Sequence, residues 1–301
     1  MIRRAYCNPI FFMHGRGVQC AIAIAVTALY LLSTNRTLRA EERRALHFDE
    51  FMMEATFRIE AKDNQGTVFI MGRPLAEQPD KSRYVLVTAA HVLEDMTGDY
   101  ASLILRQRAN TGEWKPRPTP LQIRSEGQPL WTKHPDADVA VMYIGRPPDT
   151  TVAALPMKLL ATDEDLAKDE IRPGDELHCL GYPFGLESNP AGFPVLRSGK
   201  MASYPLLPTK DTKEFLFDFE VFAGNSGGPV YMVETGPRIL GGAMVMGRNF
   251  AYIMGLVSQQ RILTQRIREP YGNREQRYPV GLGVVIHASM IRETIERLPP
   301  P

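Results

Sequence analysis

The apolar positions of this chain fall in short runs broken by turn-forming and charged residues. Residues 84–88, 103–105, 121–123, 139–144, 177–180 and 230–233 are such runs, rich in β-branched and aromatic side chains. Runs of this length with these boundaries predict strands rather than helices. Residues 215–219 alternate apolar positions with charge at Asp218 and then Glu220, the period of a half-buried strand. Two further runs, 243–246 and 252–257, compete for the next strand. Between Arg106 and Arg117 the chain is polar and contains Gly112 and Pro116, which reads as a hairpin or loop. With 24 glycines and 24 prolines to supply turns, the pattern predicts an all-β chain.

The N-terminus has a different pattern. Arg3, Arg4 and Arg16 precede an apolar stretch at residues 18–32, a basic region followed by a hydrophobic one, as in a secretory signal. The stretch is short of the roughly 20 apolar residues of a membrane span. Ala40 is a candidate cleavage position. The alternative is an uncleaved anchor, whose basic flank would stay in the cytoplasm and leave the rest of the chain outside. Either way the expectation is export, to the periplasm or beyond, with a possible inner-membrane tether through residues 18–32. Of three cysteines, Cys7 and Cys20 lie in this leader. Cys179 is then alone in an apolar run, as a buried core thiol without a disulfide.

Candidate chemistry sits beside the strands. Residues 224–229 read Gly-Asn-Ser-Gly-Gly-Pro; upstream lie Thr88-Ala89-Ala90-His91 and Asp138-Val139-Ala140-Val141. A serine hydroxyl becomes a useful nucleophile when a base takes its proton, and imidazole titrates in the right range. His91 is the candidate base, Asp138 the carboxylate that orients it, and Ser226 the nucleophile. Asp136 lies two residues away and competes with Asp138; the apolar run 139–144 directly after Asp138 favours the latter. His134 has no preceding apolar strand and reads as a loop residue. Gly224 and Gly227 permit sharp turns that would aim the N–H groups of Gly224 and Ser226 at one point, an oxyanion hole.

Composition removes other classes. A formal net charge of +1 gives no chain-wide field for nucleic acid. No Cys/His cluster has zinc spacing and no glycine motif suits a nucleotide, so neither metal nor cofactor is implied.

These motifs together resemble the trypsin-like serine peptidases, and within them the bacterial HtrA-type branch. Thr88-Ala89-Ala90-His91-Val92 is similar to the histidine motif, Asp138-Val139-Ala140-Val141-Met142 to the aspartate motif, and Gly66-Thr67-Val68-Phe69-Ile70 to the strand before the histidine, with Val68 where glycine is common. Leu180-Gly181-Tyr182-Pro183-Phe184-Gly185 resembles the branch's Gly-x-Pro-x-Gly segment, and Arg197-Ser198-Gly199-Lys200-Met201 its next strand. Gly281-Leu282-Gly283-Val284-Val285-Ile286 resembles the last strand and residues 288–298 the closing helix. The resemblance implies two six-stranded antiparallel β-barrels and a C-terminal helix, with no PDZ domain after it. The implied division is a leader (1–40), a linker or short helix (41–53), a first barrel (54–150), a connection with solvated charges (151–175), and a second barrel with its helix (176–301). It further implies a serine endopeptidase acting on protein or peptide through an acyl-enzyme. A catalytically silent binding module and an esterase-like acyl hydrolase are the alternatives. Glu220 falls where such enzymes place the base of the pocket for the residue before the scissile bond, which would select Arg or Lys. The HtrA branch implies instead a small apolar pocket. Ser258, ending Gly255-Leu256-Val257-Ser258, is expected in the wall of the substrate channel, with Gly242-Ala243-Met244-Val245 as the rival.

Overall fold

The computed structural model describes residues 48–300 apart from 63, 146, 148, 248, 270 and 271. The leader expected at 1–40 lies outside the described residues. Among those described, no helix is long and apolar enough to cross a membrane.

A short helix α1 (Phe48–Ala55) leads into β1 (Thr56–Glu60), β2 (Gln65–Leu75) and β3 (Gln78–Thr88). One helical turn, α2 (Ala90–Glu94), separates β3 from β4 (Tyr100–Arg108) and β5 (Trp114–Gln122). The small strands β6 (Arg124–Ser125), β7 (Gln128–Pro129) and β8 (Thr132–Lys133) precede β9 (Ala140–Ile144). Strands order as β5-β4-β1-β2-β3-β9-β8. β10 (Leu155–Pro156) adds to β2 in parallel, which makes eight strands where six were expected.

The hydrogen-bonded path of this first sheet ends at β5 and β8. Its β5 border has a chemical cause. Pro116, Pro118 and Pro120 occupy alternate positions of β5, which pairs with β4 over its whole length. Alternate residues point their nitrogens to the same side, so the missing N–H groups fall on the outward edge. From residue 116 to residue 120 that border offers no donors to another strand. The stretch after Arg106, expected as a hairpin or loop, is the β4–β5 hairpin.

The second half closes. Strands β11 (Glu176–Gly181), β12 (Val195–Met201), β13 (Glu214–Asp218), β14 (Pro229–Glu234), β17 (Phe250–Glu269) and β18 (Gly272–His287) form a barrel in the order β11-β12-β13-β18-β17-β14. The rival run 243–246 does not enter it. β15 (Arg238–Leu240) and β16 (Ala243–Val245) make a separate hairpin, with Met244 and Met246 exposed.

The connection touches both halves. Leu155 pairs with Met71 of the first sheet, and the Ala161 N–H donates to the Ile253 carbonyl of the barrel. α3 (Asp163–Lys168) follows with a capping box between Thr162 and Asp165. Its acidic residues are not simply a solvated face, as expected. Asp163 accepts from the Thr209 hydroxyl at 2.6 Å, on the short helix α4 (Thr209–Thr212), and buried Asp169 accepts from the Tyr252 hydroxyl. The closing helix α5 (Ala288–Glu296) buries Ala288, Ile291 and Ile295 along one stripe. Arg73 of the first sheet holds the carbonyls of Leu298 and Pro299 just beyond it.

One fully buried cation ties these parts together. Arg106 of β4 donates to the carbonyls of Met53, Glu54, Thr56 and Gly192 and to the Tyr182 hydroxyl. Its guanidinium lies 4.3 Å from the centre of the Phe57 ring and 4.2 Å from that of Phe193. The two terminal nitrogens of the planar fork reach all five acceptors, which a lysine ammonium would not. Burial lowers its pKa, partly offset by Tyr182. Arg106→Met leaves those acceptors without donors. The expected loss is about 3 kcal/mol of folding stability, read as a lower urea midpoint. Arg106→Lys should recover only part of it, and a loss below about 0.5 kcal/mol in both variants would refute this role.

Candidate active site

Pairing register brings the histidine and the carboxylate together before any side chain is considered. β3 and β9 are antiparallel with Thr88 opposite Ala140. His91 lies just after the end of β3 and Asp138 just before the start of β9, so both emerge at the same end of the sheet. α2 then fixes His91 in its first turn, where the backbone N–H of His91 donates to Asp138 Oδ1 at 3.0 Å. His91 Nδ1 meets Asp138 Oδ2 at 2.7 Å.

A third donor completes this carboxylate. The Ser258 hydroxyl donates to Asp138 Oδ2 at 2.5 Å, and the Ser258 carbonyl accepts from the Ser226 hydroxyl at 3.0 Å. One residue of β17 therefore touches both the acid and the nucleophile candidate. Ser258 was expected as channel wall; it is buried, and its polar groups are committed to this network. The sequence signal was weak, a serine ending an apolar strand.

The loop of Ser226 lies wedged between the two halves. Thr67 of the first sheet donates its N–H to the Ser226 carbonyl and its hydroxyl to the Gly224 carbonyl. From the barrel side, Gly227 donates to Val257 and Val257 to Gly228. Gly224 has φ +94° and Gly227 φ +84°. At Gly224 a Cβ would collide with the Tyr182 carbonyl, and at Gly227 with the Thr67 carbonyl and the Thr88 hydroxyl. Only glycine meets both demands at these positions. Asn225 holds the turn from within, accepting from the Phe222 N–H through Oδ1 at 2.9 Å. The neighbouring N–H groups of Gly224 and Ser226 meet no backbone acceptor among the described residues.

Electrostatics separate the candidates. Burial pushes the Asp138 carboxyl up, but the hydrogen bond and charge of His91, with the Ser258 hydroxyl, bring it down to about 2. Burial likewise opposes the His91 imidazolium, yet Asp138, Asp95 and Glu94 outweigh it and raise the pKa above the ordinary value. The competing Asp136 is exposed and faces Lys213 at 3.6 Å, remote from this network. His134 lies in the loop after β8, as expected, and is buried there with Nε2 3.3 Å from Glu293 of α5. Glu220 is exposed, while its flanking Phe219 and Val221 are buried. The Glu220 carbonyl accepts from Arg197, whose guanidinium covers Phe219 and Phe222. Cys179 is buried as expected, its thiol pushed up to about 12 by burial.

A family model described as a trypsin-like peptidase domain matches residues 66–237. The chain belongs to the trypsin-like peptidase family. It is a serine peptidase with a mostly β, trypsin-like fold. No curated protein matches it. Among solved structures it is similar to Rv3671c from M. tuberculosis H37Rv, a serine-to-alanine mutant in an inactive form. That likeness has 14% identity and a TM-score of 0.42, covering 82% of this chain and 87% of that one. A second structure, the Rv3671c protease in an inactive form, has 17% identity and a TM-score of 0.42, covering 82% of this chain and 89% of that one.

The peptidase's histidine should titrate above 6.5, the ordinary value for a histidine. In Asp138→Asn the largest stabilising partner is gone while burial, Asp95 and Glu94 remain, so the midpoint should fall. The ring-proton NMR signal of His91 followed against pH reads both; a midpoint unchanged by Asp138→Asn would refute the coupling.

Proposed function

We propose that this peptidase is an endopeptidase that cleaves peptide bonds through a His91–Asp138–Ser226 triad and an acyl-enzyme. What carries the reading is the network on Asp138. Its carboxylate receives His91 twice and Ser258 once, and Ser258 in turn holds the Ser226 hydroxyl. Such an anion fixes the tautomer of the imidazole and stabilises its protonated form.

Attack requires the Ser226 hydroxyl to leave the Ser258 carbonyl and turn its proton toward His91 Nε2, a rotation about one side-chain bond. Ser226 Oγ then bonds to the scissile carbonyl carbon as His91 takes the proton. The N–H groups of Gly224 and Ser226 stabilise the resulting oxyanion. Collapse breaks the C–N bond, and His91 gives its proton to the leaving amine. Water then attacks the ester with His91 again as base, the acid is released, and Ser226 regains its proton.

For the residue before the scissile bond we infer an apolar preference of small size. The exposed Glu220 carboxylate supports no basic specificity, whereas buried Phe219 and Val221 flank it. A peptide-library digest tests chemistry and preference together. Wild type should cleave after small aliphatic residues, and Glu220→Gln should do the same. Ser226→Ala should retain the fold and lose nearly all turnover, by about 10⁴-fold or more, along with labelling by a fluorophosphonate. Cleavage after Arg or Lys that disappears in Glu220→Gln would refute the preference. Wild-type turnover in Ser226→Ala would refute the triad. Labelling of Ser226 with ester but no peptide hydrolysis would mark an acyl hydrolase instead.

We further propose that the peptidase acts outside the cytoplasm, from the basic region and apolar stretch at residues 18–32. Fusing residues 1–45 to a reporter active only outside the cytoplasm should give activity; a silent cytoplasmic reporter would refute export.

A further inference from the structure

β17 and β18 are far longer than the barrel needs. β14 covers β17 only as far as Leu256, and β13 covers β18 only from Leu282 onward. Beyond these points the two strands pair with each other alone, from Gln260 opposite Gly283 out to Glu269 opposite Gly272. The result is a two-stranded ribbon whose outer edges meet no named strand. Its β17 edge opens directly after Ser258, the residue that holds the Ser226 hydroxyl.

Charge is concentrated there. The ribbon carries Arg261, Arg266, Arg268, Arg274 and Arg277 against Glu269 and Glu275, in a chain whose net charge is +1. All five arginines are exposed. Arg266 pairs with Glu275 at 2.9 Å. No ion pair engages the other four among the described residues. Residues opposite each other across two strands share a face. Thr264 lies opposite Arg277 and Arg266 opposite Glu275, which puts Arg266, Arg268 and Arg277 on one face. Leu263 lies opposite Tyr278 on the other, both exposed. Exposed apolar side chains, free backbone edges and unpaired cations together suit an extended polypeptide more than a smooth anionic surface.

We propose that the free edge of β17 beyond Ser258 takes an acidic, extended segment of the substrate as an added antiparallel strand. This rests on the peptidase reading above and extends it from the scissile bond to the substrate class. β17 runs away from the nucleophile, so an antiparallel partner runs toward it. The segment on the ribbon is therefore the part N-terminal to the scissile bond. With one substrate residue beside each ribbon residue, Arg261 to Arg268 reach roughly three to ten residues upstream. Backbone hydrogen bonds supply affinity without regard to sequence; alternate carboxylates on the arginine face supply selection.

The test uses the full chain, wild type and Arg268→Glu/Arg277→Glu, two exposed positions outside the triad. Three fluorogenic peptides share the residues around the scissile bond. One has an upstream extension with Asp and Glu at alternate positions, one has Asn and Gln there, and one has no extension. Wild type should cleave the acidic peptide with about tenfold higher kcat/KM than its amide counterpart, less so at high salt. The double variant should reverse that order, and the unextended peptide should be cleaved equally by both. Equal cleavage of acidic and amide peptides by wild type, or an undiminished preference in the variant, overturns the proposal. So does a preference for acidic residues placed only downstream. Arginine-dependent sedimentation with anionic vesicles, without any peptide preference, also overturns it and assigns the ribbon to a membrane surface. If wild type cleaves none of the three, the peptidase reading has failed instead. The ribbon is then judged by fluorescence anisotropy of the labelled acidic peptide on Ser226→Ala. Binding about tenfold weaker after adding Arg268→Glu/Arg277→Glu supports it, and equal binding refutes it.

Discussion

Two β-sheet structures meet at a loop that has no room for side chains. Gly227 lies against the Thr67 carbonyl of the first sheet, while Gly224 and Gly228 lie against the Tyr182 and Leu180 carbonyls of the barrel side. The first sheet grips this loop through Thr67 and the barrel grips it through Val257. Ser258 meets both the Ser226 hydroxyl and the Asp138 carboxylate that holds His91 because this seam is tight. A methyl group at Gly227 would push against the first sheet, and one at Gly224 or Gly228 against the barrel's own backbone; each would loosen a network whose hydrogen bonds lie between 2.5 and 3.0 Å. Packing at the seam and chemistry at the site are therefore a single constraint.

The peptidase solves two partly or fully buried charges in opposite ways. Asp138 has a partner that can become cationic and two further donors, so its ionised form is strongly favoured. Arg106 has no carboxylate at hand among its hydrogen-bond partners. It is solvated by carbonyl dipoles, a phenol oxygen and two aromatic faces. Only the first arrangement responds to proton concentration near neutrality, because imidazole titrates there and guanidinium does not. The pH-sensitive centre and the mechanical joint are thus chemically separate, although Tyr182 packs near both.

The sequence was most informative where chemistry follows directly on a strand. His91 after 84–88 and Asp138 before 139–144 could be read because an apolar run sets the direction in which the next polar residue emerges. The same logic chose Asp138 over Asp136. It did not reach Arg106, because an arginine in a strand-like run is usually exposed, and its acceptors come from residues as distant as Met53 and Gly192. The resemblance placed Ser258 in the channel wall, and a matched strand does not say which atoms a residue meets there. The prolines of β5 left hairpin and loop both open, since proline breaks a ladder; at an edge strand the missing donor is harmless, and the strand persists. The ribbon was overlooked for a related reason. Its alternation of arginine with apolar residues is that of a strand exposed on both faces, which no buried stripe announces.

Pro116, Pro118 and Pro120 bear on the behaviour of many copies as well as one. Strand-by-strand stacking into fibrils needs a donor and an acceptor on successive rungs of an exposed border. From residue 116 to residue 120 this border retains its acceptors and lacks the donors, so a second molecule arriving in register loses the bonds those donors would make. An unfolded or nascent chain seeking a template meets the same refusal. At crowded concentrations, three pyrrolidine rings serve as a colloidal safeguard for the whole protein.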